Sequence, residues 1–88
     1  MAIVDNSWHF NYGQGKSLIK ELVDMLDETN YMEIWTSDGD YLFVTSEDRI
    51  DIGARAILVS SDNNIDLINT NYIIRVNIHR KSQDNNNI

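Results

Sequence analysis

The sequence predicts a mainly β domain, in which an N-terminal α-helix is followed by a strongly bent five-stranded antiparallel sheet that closes into a small barrel. Three observations lead there. Apolar residues between Ser17 and Glu28 recur at helical spacing, the period drops to two after Asn30, and turn residues then punctuate a series of short strands. Eighty-eight residues, 42% of them hydrophobic, suffice for one core and one domain. The domain is expected over 1–80, with an arm over 1–15, the helix over 16–28 and the strands over 31–79. Residues 81–88 (KSQDNNNI) form a polar tail too poor in apolar side chains to order itself.

The arm, Trp8-His9-Phe10-Asn11-Tyr12-Gly13-Gln14-Gly15, mixes aromatics with glycine and shows neither helical nor strand periodicity. In the helix, Leu18, Ile19, Leu22, Val23, Met25 and Leu26 make one apolar stripe, with Ser17 as the expected N-cap and Thr29-Asn30 as the stop. Met32, Ile34 and Thr36 then alternate with Glu33, Trp35 and Ser37. Asp38-Gly39 turns the chain, and Tyr41 to Val44 returns as the second arm of a hairpin. Ser46 to Gly53 is charged and reads as a loop or irregular extension of that strand. Arg55 to Ser60 is a short aliphatic strand, Asp62-Asn63-Asn64 a turn, and Ile65–Asn69 and Ile73–Ile78 the last two strands across the brief Thr70-Asn71-Tyr72 link.

The chain carries a net charge of −7, unevenly spread. Ten acids stand against Arg49 alone between Glu21 and Asp51, a local balance of −9, while both flanks are mildly basic. Such a balance opposes non-specific binding to a polyanion, which draws on clustered Lys and Arg, and leaves room only for a local basic site. The plainest account of the acidic stretch is a solvated surface; its functional counterpart is docking on a basic protein surface. No Cys is present, so disulfides, thiolate metal sites and thiol nucleophiles are excluded. The longest aliphatic run, Ala56-Ile57-Leu58-Val59, is far shorter than the ~20 residues of a membrane span, and Met1 to Ser7 lacks the pattern of a secretory signal. A cytoplasmic protein with no membrane partner is expected.

Several motifs fail on spacing. Gly15-Lys16-Ser17 resembles the end of a phosphate-binding loop, but Phe10 stands where the first glycine belongs. Asp62-Asn63-Asn64-Ile65-Asp66 starts like a calcium loop, yet Leu67 replaces its glycine and Ile73 its bidentate glutamate, so a hairpin turn is expected. His9 and His79 lie seventy positions apart without zinc-ligand spacing, and no nucleophile elbow is present. No enzyme, metal or cofactor is expected. The aromatic residues are a different matter, because rings flanked by Arg or Lys form platforms for single-stranded nucleic acid. Most belong in a core or interface. Trp35 stands apart, since alternation sets it opposite the face of Met32 and Ile34, where a subunit or ligand can cover it.

The order of elements resembles the Sm/Lsm family, including its bacterial member Hfq. Leu18 to Leu26 is similar to the family helix, Met32 to Gly39 to its first strand and Asp-Gly turn, and Ile68-Asn69-Thr70-Asn71-Tyr72-Ile73 to its last connection. The resemblance covers about Ser17 to His79. It implies an Sm-like homo-oligomeric ring of the hexamer or heptamer class, joined by pairing strand four with strand five of a neighbour, that binds single-stranded RNA as a chaperone or regulator. Asn69, Thr70 and Asn71 would line its pore with Arg49 nearby, and Arg75, Arg80 and Lys81 would meet phosphates. The position at which the family carries a glycine to bend its second strand falls near Val44 in this chain, which has none there.

Overall fold

The computed structural model describes residues 5–81. The first four residues of the arm and the tail beyond Lys81 lie outside them. Seven strands, one α-helix and one 3₁₀ turn follow in the order β1 (Asp5–His9), α1 (Gly15–Asp24), β2 (Asn30–Thr36), β3 (Tyr41–Thr45), β4 (Arg49–Ile52), β5 (Ala56–Ser60), β6 (Ile65–Asn69), the 3₁₀ turn Thr70–Tyr72 and β7 (Ile73–Arg80). They form two antiparallel sheets, β1-β7-β2-β3 and β4-β5-β6.

The expected five-stranded barrel is therefore corrected in three respects. A strand precedes the helix, another forms within the expected charged loop, and the ladder is open. Without a glycine near Val44, the chain leaves β3 through a sharp turn rather than a bend. Asp48 seals that turn, its amide donating to the Thr45 carbonyl at 3.1 Å and its carboxylate accepting from the Thr45 amide at 2.9 Å. The pairing breaks there: β3 pairs with β2, and β4 pairs with β5. Part of the expected charged loop thus becomes β4, with Ile50 and Ile52 packed on the core and Arg49 and Asp51 outside.

Within the expected arm, β1 lies antiparallel on the second edge of β7, from Asp5 opposite His79 to His9 opposite Arg75. Trp8 packs against the core, and the arm continues with the Phe10 amide donating to the Ile74 carbonyl at 2.9 Å and the Gly13 amide to the Asn71 carbonyl at 3.0 Å. Gly13 takes the left-handed conformation at φ 81 that this approach requires.

The helix begins and ends earlier than its apolar stripe. Gly15 opens it because a side chain there would meet Ile73, its Cβ lying 2.9 Å from that of Ile73. Gln14 occupies the N-cap position, so Ser17 is no cap and its hydroxyl donates back to the Gln14 carbonyl. Beyond Asp24 the Asn30 side-chain amide donates to the Met25 carbonyl, and Asp27 accepts from both the amide and the hydroxyl of Thr29. Those Thr29 bonds hold the Asp27 carboxyl below its ordinary range.

One core joins all of this. Ile19 and Leu22 from the helix, Met32, Ile34, Leu42, Val44, Val76 and Ile78 from the larger sheet, and Ile57, Val59 and Ile68 from the smaller one form a single buried cluster with Ile73. Each such side chain contributes about 1.5–3 kcal/mol on burial. Leu18 and Met25, placed on the apolar stripe by spacing, remain exposed. No helix among the described residues is long and apolar enough to cross a membrane.

Candidate functional site

Alternation in the larger sheet decides where its remaining side chains go. Met32, Ile34, Leu42, Val44, Val76 and Ile78 take the inner face, so Tyr31, Glu33, Trp35, Tyr41, Phe43, Arg75, Asn77, His79, Ser7 and His9 share the outer one. Register arranges them in cross-strand rows. Ser7, Asn77, Glu33 and Phe43 form the middle row; His9, Arg75, Trp35 and Tyr41 form the next; His79, Tyr31 and Thr45 lie on the other side.

The rows are stitched by rings. Tyr31 stacks on His79 with centroids 5.0 Å apart and meets Phe43 at 5.1 Å, Trp35 meets Tyr41 at 5.2 Å, and the Arg75 guanidinium sits 4.7 Å above Trp35. Tyr41 and Phe43 nevertheless remain 49% and 52% exposed, leaving ring surface open beside the two half-buried rings. The acid in the middle of the face is engaged. Glu33 accepts the Tyr41 hydroxyl at 2.6 Å and lies 2.5 Å from His79 Nε2. The Glu33 bond, reinforced by partial burial, pushes the Tyr41 phenol up to about 12. Asn77 is buried under the face, accepting from Ser7 Oγ at 2.6 Å and Arg75 Nε at 3.3 Å. Within a strongly acidic chain this surface carries Arg75 and two imidazoles against one hydrogen-bonded carboxylate, Glu33.

The residues expected to gather at a pore are separated. Asn69 uses its side chain to accept the Asn71 amide at 2.9 Å, capping the 3₁₀ turn. Thr70 is fully buried, with an Oγ1 that finds no hydrogen-bond partner. Asn71 is half-buried against the arm at Gly13, and Tyr72 meets Tyr12 with centroids 5.9 Å apart. Arg49 pairs with Asp51 at 3.3 Å and lies opposite Ser60, whereas Asn69 lies opposite Ala56 at the other end of β5. Four residues of strand, about 13 Å, separate those ends. Arg80 ends β7 and Lys81 follows it, and the Asp27 carboxylate feels both charges. Of the expected set, only Arg75 stands among the aromatics. A further feature bears on the ring: β7 is flanked on both sides, by β1 and β2, so it offers no edge to a neighbour's strand over the stretch they cover.

Elsewhere, Asp62-Asn63-Asn64 makes the expected hairpin turn, closed by the Ser61 amide on the Asn64 carbonyl at 2.9 Å. An open hollow of about 400 Å³ lies between this turn and Glu47 to Arg49. No group of three metal-ligating side chains occurs among the described residues.

Comparison with known proteins finds no family model, curated protein or solved structure that matches the chain.

Proposed function

We propose that the protein is a cytoplasmic single-stranded RNA-binding module, of the chaperone or regulator type, whose outer sheet face receives the bases. The observation that carries this reading is the half-exposed pair Tyr41 and Phe43 beside Tyr31 and Trp35 on one sheet face, with Arg75 above Trp35. Every base offers a π-face, so rings spaced along a sheet hold single strands with little regard to sequence, each stack contributing about 1–3 kcal/mol. The Sm/Lsm resemblance supports RNA as the ligand class, while the placement of Asn69, Thr70 and Asn71 favours the sheet face as the site. With so few cations, the affinity rests on stacking, and its salt dependence is shallow, about 0.7 in log–log slope for each phosphate met.

Fluorescence anisotropy with short U-rich and A-rich RNAs tests the reading. Phe43→Ala and Tyr41→Ala are each expected to weaken binding about 5- to 150-fold, the equivalent of one lost stack. Arg49→Ala and Asn71→Ala are expected to leave it within about twofold. Binding that is insensitive to both rings contradicts the proposal. A second reading, docking on a basic protein surface, draws on the exposure of Glu21, Asp24, Asp27, Glu28, Asp38, Asp40, Glu47 and Asp51. No affinity for RNA together with salt-sensitive binding to a basic polypeptide favours that one.

A further inference from the structure

β6 is the last strand of the smaller sheet, paired with β5 on one side only. Its side chains leave apolar surface bare. Ile65 and Leu67 are 72% and 69% exposed, more than any other large aliphatic side chain among the described residues. Both point to the outer face, where Leu67 continues a row with Leu58, its partner across the ladder. An exposed apolar edge of this kind templates further pairing unless charge, proline or cover blunts it. The opposite edge of the same sheet is blunted, since β4 presents Arg49 and Asp51 there. β6 carries a single acid, Asp66.

We propose that β6 pairs antiparallel with β6 of a second copy about a two-fold axis through Leu67, making one six-stranded sheet across a dimer. Of the possible two-fold registers, this one alone pairs all five residues of the strand. It sets Leu67 against Leu67 of the second copy and Ile65 against Asn69, so that Leu58 and Leu67 of both copies form one apolar row. It also sets Asp66 opposite Ile68, so the strand's acid never faces itself; a register centred one residue earlier would oppose two carboxylates. The one acid of β4, Asp51, lies two strands, about 10 Å, from β6, so its repulsion across the new ladder is partly screened. The pairing is isologous and closes with two subunits, unlike the ring, which needs a free edge on β7. It leaves the aromatic face of the other sheet uncovered and does not depend on what that face binds.

Light scattering on a size-exclusion column tests this, supported by single cysteines in a chain that has none. The full chain is expected at about twice its 10.2 kDa, and Leu67→Lys at 10.2 kDa, because the new charges meet across the axis. Since Leu67 is largely exposed, the lysine leaves the fold intact, and an unchanged circular dichroism spectrum verifies it. Under mild oxidation Leu67→Cys is expected to form a covalent dimer and Asp51→Cys, in the same row on the far edge, to remain uncrosslinked. A monomeric full chain at about 100 μM, a larger ring, or a dimer that survives Leu67→Lys overturns the proposal.

Discussion

Single residues carry much of what is unusual here. Tyr41 holds its proton because its hydroxyl donates a hydrogen bond to Glu33, and its folded-state value of about 12 lies above the ordinary 10.0. The fold thus favours the neutral phenol, a contribution whole below pH 10 and lost as pH rises through about 12. A phenolate absorbance titration is expected to show one late-titrating tyrosine that disappears in Tyr41→Phe and returns to the ordinary range in Glu33→Gln. Thr70 offers the opposite case, a buried hydroxyl with no partner. Removing it while keeping its shape relieves desolvation, so Thr70→Val is expected to be neutral or stabilising by up to about 2 kcal/mol in urea unfolding. Gly15→Ala, by contrast, forces Ile73 aside from 2.9 Å and is expected to cost about 1–3 kcal/mol in the same assay. Spacing placed Gly15 at the end of the arm, just before the helix; it gave no hint of Ile73, fifty-eight positions away.

At the scale of elements, legibility follows the range of the interactions that make each one. The helix, the β2–β3 hairpin and the Asp62–Asn64 turn are local, and their periods and turn residues announce them. β1 is not, because Asp-Asn-Ser-Trp-His has little strand propensity and becomes a strand only where β7 offers a second edge. β4 hid behind its charges, although Ile50 and Ile52 alternate with them. The turn between β3 and β4 is a local device with a global effect. Asp48→Ala removes an acceptor from the Thr45 amide and is expected to cost about 1 kcal/mol, while loosening the amides of β3 and β4 in hydrogen exchange. β7, bonded on both sides, is expected to exchange slowest, and β6 faster unless a second copy covers it.

For the whole molecule, two sheets divide the labour: one buries its inner face and displays rings on the other, and the second ends in an apolar edge. Trp35 was recognisable from alternation as facing away from Met32 and Ile34. Its neighbours were not, because the β2–β7 register brings Arg75 to Trp35 and His79 to Tyr31 from forty and more positions away. Non-local pairing likewise separated Arg49 from Asn69, and Thr70, which the Sm/Lsm resemblance had grouped with them, is buried. The most direct test of the RNA-binding face is an amide chemical-shift map on adding a short single-stranded RNA. Shifts are expected to concentrate on Tyr31, Glu33, Trp35, Tyr41, Phe43, Arg75 and His79. Shifts centred instead on Asn69 to Asn71 and Arg49, or none at RNA concentrations that saturate other single-strand binders, would contradict it.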